Sequence, residues 1–129
     1  MEPKMNLMLI IDDNVEFRTM VSDYFTDLGY TVEIADNGRE GLAKARGLKP
    51  DIILLDVMMP DIGGIEVLRN LQTEDDTRNI PVLVITGTFF DKNMSELFRQ
   101  ESNCREFMSK TVELAYLQKK VEALAPLKK

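Results

Sequence analysis

Three carboxylates stand where apolar runs stop. Asp12 and Asp13 follow Leu7-Met8-Leu9-Ile10-Ile11, and Asp56 follows Ile52-Ile53-Leu54-Leu55. Thr86 closes another apolar run, Ile80 to Ile85, and Lys110 follows a weaker one, Arg105 to Met108. A carboxylate at the end of a buried strand is costly unless a metal, a cation or covalent chemistry offsets it. Three brought into one pocket would repel one another. A hard divalent cation bound through oxygens relieves that repulsion; Mg²⁺ is the intracellular candidate, with Mn²⁺ or Ca²⁺ as substitutes. Thr86 then supplies a hydroxyl and Lys110 an ammonium. Such a set suits a phosphoryl group, whose charge is balanced by metal and ammonium and whose oxygens accept hydrogen bonds. A carboxylate can itself attack phosphorus and form an acyl phosphate.

That chemistry requires the five residues to meet, so the elements between them matter. The run before Asp56 is continuous rather than alternating, as in a strand buried on both faces. After Asp13, Phe17, Met20, Val21, Tyr24, Phe25 and Leu28 form one apolar stripe at helical spacing, and Gly29 signals its end. Thr31 to Ala35 reads as a second strand. Asn37 can cap a second helix that turns Leu42, Ala45 and Leu48 inward, with Pro50 stopping it. Ile65 to Leu71 is a third helix with Val67, Leu68 and Leu71 facing the core. Asp91 to about Glu101 is a fourth. Thr111 can cap a last helix that buries Val112, Leu114, Leu117, Val121 and Leu124. The acid run Glu74-Asp75-Asp76 lies between elements and reads as a solvated loop. Short apolar strands alternating with amphipathic helices five times predict an α/β fold: a doubly wound parallel sheet with helices on both faces. In such sheets ligands bind outside the carboxyl ends of the strands, where the strand order reverses. All five candidate residues lie at such ends.

Composition narrows the function. The 129 residues suit one domain, 1–129, with a core of about residues 5–125 and no output domain in this chain. A hydrophobic content of 44% with 29% charged residues is that of a globular protein. The net charge of −6 argues against a nucleic-acid backbone as main partner. Histidine is absent, which removes the commonest general base and transition-metal ligand. The single cysteine, Cys104, excludes an internal disulfide, fits a reducing compartment, and has no histidine to activate it. No apolar run approaches membrane-spanning length, and Leu7 to Ile11 is too short for a signal peptide, so a cytoplasmic location is expected.

In order and spacing, Asp12-Asp13, Pro50-Asp51 then Asp56, Met59-Pro60 and Gly64, Thr86 and Lys110 resemble the receiver domain of two-component response regulators, in the stand-alone form of the chemotaxis regulator. The resemblance covers the whole chain. It implies a flavodoxin-like (βα)5 fold with strand order 2-1-3-4-5. It implies a phosphoprotein in which Asp56 accepts a phosphoryl group from a phosphohistidine on a sensor histidine kinase or phosphotransfer protein. Asp13 and Asp56 would ligate Mg²⁺ with the backbone carbonyl of Met58, and Asp12 would act partly through water. Lys110 would contact the phosphoryl oxygens. Thr86 would swing toward them, and Phe107, at the aromatic switch position, would rotate inward. The face of the fourth helix, fifth strand and fifth helix would then rearrange and control a downstream protein, by population shift. Neither nucleic acid nor membrane is implied as a partner. A monomer or a weak dimer through the last helix is expected.

The chain departs from the family pattern in places. The family usually has proline after the lysine, with a cis bond; here Thr111 follows. Without proline a cis bond costs about 3–4 kcal/mol, which leaves a trans peptide or a strained cis one, and either can displace Lys110. Phe107 lacks a tyrosine hydroxyl. Gly87 stands where alanine is common and can loosen its loop, and Phe89 and Phe90 after it are expected to pack. Met58 and Thr88 sit where family members tune access of the hydrolytic water, and the bulk of Met58 predicts a long-lived phosphoryl group.

Blander readings exist for each residue. Asp12 and Asp13 could serve as helix-capping acids, Thr86 as an ordinary strand-end residue, Lys110 as a solvated lysine. Asp56 at the neighbouring strand end favours the site reading. No turnover of an external substrate is expected, so the chain is not read as an enzyme. A haloacid-dehalogenase-type phosphatase needs an acid two residues beyond the nucleophile, where Met58 stands. A flavin module needs a phosphate-cradling loop where Asp12-Asp13 would repel phosphate. The nearest alternative is a pseudo-receiver: the same fold acting as an interaction module without phosphorylation.

Overall fold

The computed structural model describes residues 6–87 and 92–127. Its elements alternate: β1 (Leu7–Ile11), α1 (Val15–Leu28), β2 (Thr31–Ala35), α2 (Gly38–Leu48), β3 (Ile52–Asp56), α3 (Gly64–Leu71), β4 (Val82–Thr86), α4 (Lys92–Arg99), β5 (Cys104–Ser109) and α5 (Leu114–Leu124). The strands pair in parallel in the order β2-β1-β3-β4-β5, the flavodoxin-like arrangement expected.

The continuous apolar runs are explained by helices on both faces. Leu9, Ile11, Ile53, Leu55, Val82 and Val84 point to a layer completed by α2, α3 and α4. Met8, Ile10, Ile52, Leu54, Leu83 and Ile85 point to one completed by Val21 and Phe25 of α1 and Leu117 and Val121 of α5. β3 and β4 are buried at every position.

Local chemistry sets the helix ends. The Asn14 side chain accepts from Phe17 N–H at 2.8 Å and so caps α1, where the sequence had offered Asp12 and Asp13. Asn37 caps α2 as expected, accepting from Glu40 N–H at 2.8 Å. Gly29 ends α1 at φ 111°, a left-handed conformation that favours glycine.

Some assignments shift. Met20 is exposed, because at about 100° per residue it falls beyond the arc of Val21, Phe25 and Leu28. Leu48 is exposed too, since it is the last residue of α2 and the chain turns away at Lys49. β4 begins at Val82, after Pro81, which has no N–H to donate. Thr111 caps nothing: α5 starts after Glu113, with no side-chain cap, and the Thr111 hydroxyl instead pairs with that of Ser109 at 2.8 Å. α4 stops at Arg99 rather than near Glu101, and Asp91 lies outside the described residues. The acids Glu74, Asp75 and Asp76 pair with Arg46, Arg78 and Lys49 on the surface, where such pairs add little.

β5 carries a β-bulge: Val82 pairs with Cys104 but Leu83 with Glu106, leaving Arg105 as the extra residue. The slip turns Phe107 into the α2–α4 layer and Met108 into the α1–α5 layer. It also sets Ser109 opposite Thr86, so Lys110 emerges beside the end of β4.

Candidate functional site

Register brings the acids together. Ile11 pairs with Leu55, so the next residue on each strand, Asp12 and Asp56, leaves the sheet at the same level. One carboxylate oxygen from each of Asp12, Asp13 and Asp56 lies within 4.8 Å of the others. Asp12 and Asp56 are buried and Asp13 is exposed.

Asp12 is fixed in place. Its Oδ1 accepts from Asn14 N–H at 2.8 Å, and its backbone carbonyl accepts from Arg18 Nη1 at 3.0 Å. Lys110 reaches across from the end of β5. Its Nζ is 2.9 Å from Asp12 Oδ2, 3.1 Å from Asp12 Oδ1 and 3.7 Å from Asp56 Oδ1. The Lys110–Thr111 peptide is trans, and Lys110 is nonetheless in the pocket. The Ser109 and Thr111 hydroxyls brace that turn, with Thr111 N–H donating to Ser109 Oγ at 3.1 Å.

One cation does not balance three acids. Burial pushes the Asp56 carboxyl up to about 6, and the nearby Asp12 charge adds to this; Lys110 works in the opposite direction, Asp13 raises it further, and the Val57 N–H lowers it. The donor set therefore fits a hard divalent cation: three carboxylates in a cradle with excess negative charge, one of them pushed toward neutrality without such an ion. Among the described residues it is the one cluster of this kind.

The remaining candidates lie around it. Thr86 is buried at the end of β4, and its carbonyl accepts from Lys110 N–H at 2.9 Å. Phe107 is already inward, its ring 5.3 Å from that of Phe98 on α4. Met58 follows two residues after Asp56 with its side chain exposed. Gly87 has a packing reason: a Cβ there would come within 3.2 Å of Lys110 Cδ. Thr88, Phe89 and Phe90 lie outside the described residues. Cys104 begins β5, at the end of the sheet opposite Asp12, Asp13 and Asp56, and burial pushes its thiol up to about 11, in keeping with an inert thiol.

Three contributors were missed from sequence. Arg18 holds the Asp12 carbonyl. Asp61, in the loop after β3, accepts from Gly38 and Arg39 N–H at 3.0 Å each and so ties that loop to the start of α2; the Arg39 N–H foremost among its backbone donors holds its carboxyl below the usual range. Phe17 lies under Lys110, the ammonium 4.7 Å from its ring centroid. Only Asp61 had a local cue, as a turn acid after Met59-Pro60.

Comparison with known proteins agrees with this geometry. The family model for the response regulator receiver domain matches residues 8–122. The chain is 30% identical over 117 residues to the protein PilH of Pseudomonas aeruginosa, covering 91% of this chain and 95% of that one. It is 34% identical over 105 residues to the polar-differentiation response regulator DivK of Brucella anthropi, covering 81% and 84%. The structure of the Vibrio cholerae chemotaxis response regulator CheY4 superposes with a TM-score of 0.85 at 29% identity, over 94% of this chain and 99% of that one. The acids that a five-stranded parallel sheet gathers at its switch point thus sit in a chain that belongs to the receiver domains of two-component response regulators.

Proposed function

We propose that Asp56 accepts a phosphoryl group from a phosphohistidine of a sensor histidine kinase or phosphotransfer protein. The observation that carries this is the buried Asp56 carboxylate, with Lys110 Nζ 3.7 Å away and the Asp12 and Asp13 oxygens within 4.8 Å. An Asp56 oxygen attacks phosphorus; the phosphorus–nitrogen bond breaks, and the imidazole leaves with the electron pair and takes up a proton. Lys110 moves from Asp12 toward the phosphoryl oxygens, and Thr86 donates its hydroxyl to one of them. Asp12, Asp13, Asp56 and the Met58 carbonyl would hold Mg²⁺, which supplies charge neutralisation at the phosphoryl oxygens. Movement of Thr86, with Phe107 already turned inward, then biases the α4–β5–α5 face toward the form that a downstream protein binds, by no more than the difference in phosphate affinity between the two forms. The chain acts on its own Asp56 rather than turning over an external substrate. A cytoplasmic setting fits this role, and no helix among the described residues is long and apolar enough to cross a membrane.

Mg²⁺ with phosphoramidate should add one phosphoryl mass to Asp56, and Asp56→Asn should abolish it. No adduct, or one surviving Asp56→Asn, would reject the reading in favour of the pseudo-receiver. Met58, exposed two residues beyond Asp56, is expected to impede the hydrolytic water. Met58→Asn should speed dephosphorylation about tenfold, a barrier change near 1.4 kcal/mol; equal decay rates of the adduct would reject this role.

A further inference from the structure

We propose that Phe17 is a positioning residue for Lys110, its ring face forming the bed on which the ammonium rests beside the acids. The inference rests on the reading of Lys110 as the cation that meets the phosphoryl oxygens. Phe17 lies in the first turn of α1, where its spacing marks it simply as core. It is only partly buried, at the margin of the α1–α5 layer, and the Lys110 ammonium stands 4.7 Å from its ring centroid. That separation is within cation–π range.

The backbone that carries the ring is held by the site itself. Asn14 N–H donates to Asp12 Oδ1 at 2.8 Å, and Phe17 N–H donates to Asn14 Oδ1 at 2.8 Å. The backbone of Phe17 is thereby indexed to the carboxylate that also receives Lys110 Nζ. Lys110 meets constraints along its length. The braced Ser109–Thr111 turn fixes its backbone, Gly87 leaves room for its stem, and Phe17 meets its head. No proline follows Lys110 to stiffen that turn, so the side chain gains more from a second support.

A ring suits this support better than another acid. It attracts a cation through its quadrupole, adds no charge to a pocket with three carboxylates, and consumes no directional hydrogen bond. All three ammonium donors stay available for Asp12 and then for phosphoryl oxygens. With Lys110 only 16% exposed, solvent screens the contact weakly.

The test uses the full chain and compares Phe17→Leu, which keeps apolar volume, with Phe17→Tyr, which keeps the ring face. In the unmodified protein the Lys110 ε-methylene protons should resonate upfield of those of solvent-exposed lysines, through the ring current. Phe17→Leu should lose that shift and react with phosphoramidate at Asp56 roughly threefold to tenfold more slowly, while Phe17→Tyr keeps both. An ordinary Lys110 shift in the unmodified protein overturns the inference without any variant having to fold. So does a folded Phe17→Leu that reacts at the unmodified rate, or a Phe17→Tyr that behaves like Phe17→Leu. Absence of any Asp56 adduct in the unmodified protein is the separate failure of the phosphoacceptor reading.

Discussion

Without divalent cations at neutral pH, Asp56→Asn should be more stable than the unmodified protein by up to about 3 kcal/mol. The Asp56 carboxyl is raised from 3.8 to about 6 by burial and by the Asp12 charge, so the fold disfavours its ionised form. A shift of that size corresponds to about 3 kcal/mol, an upper figure because solvent at the pocket mouth screens part of it and because Lys110 and Asp12 readjust once the charge is gone. The sign follows from the direction. Below the unfolded value both states hold the proton and there is no penalty; as pH rises through about 6 the folded state must surrender it, and the penalty becomes complete. The advantage of the asparagine variant should therefore be full at about pH 7.5 and nearly gone by about pH 4. Mg²⁺ should stabilise the unmodified protein more than the variant, because binding to the native state adds stability by mass action and the variant lacks one of the three carboxylates proposed to hold the ion. Urea unfolding of both proteins in EDTA and in Mg²⁺, across that pH range, measures all of this. A variant less stable than the parent in EDTA at the neutral end of the range, or a gap that ignores pH, would contradict it.

The acids were legible because each interrupts an apolar run, and an apolar run of about five residues with no alternation is readable as a strand covered on both faces. Even their convergence follows once β1 and β3 are neighbours. Partners brought by tertiary contact could not be read. Phe17 looks like any stripe residue until α1 is laid beside the end of β5. Asp61 caps a helix that begins 23 residues earlier in the chain, a form of capping that local spacing cannot display. Leu48 has the right helical phase, but the last position of α2 leaves it exposed. The bulge at Arg105 is silent in sequence, since Cys104 to Ser109 alternates poorly; yet it decides which face Phe107 enters. Thr111 looked like a cap because it is a threonine before an amphipathic segment, and its hydroxyl pairs with Ser109 instead.

Gly64→Ala should destabilise the protein by about 2 kcal/mol and weaken the acid cluster at the same time. Gly64 opens α3, and its N–H donates to the Val57 carbonyl at 2.9 Å, folding the loop back onto the end of β3. A Cβ there would stand 2.8 Å from the Asp56 carbonyl oxygen and 3.0 Å from Val57 Cα. Both are backbone atoms, so no rotamer can relieve the contact. Either α3 moves away from the sheet or the Asp56–Val57 backbone gives way. Overpacking of this kind costs roughly 1–3 kcal/mol, and rigid neighbours put it at the upper end. Replacing glycine in a helix offsets at most about 1 kcal/mol of that. Gly47 is the matched control: it lies in α2, and a methyl group added there would meet nothing within 4 Å, so Gly47→Ala should stabilise by about 0.5–1 kcal/mol. The two variants thus move stability in opposite directions for the same chemical change. Because the Gly64 contact falls on Asp56 itself, its Mg²⁺ affinity should drop about tenfold, as when a group that orients a metal ligand is disturbed, while that of Gly47→Ala stays at the parental value. Thermal melts and Mg²⁺ titrations decide the matter. A Gly64→Ala protein as stable as its parent, with unaltered Mg²⁺ affinity, would mean that the loop after β3 is free to move without disturbing the acid it carries.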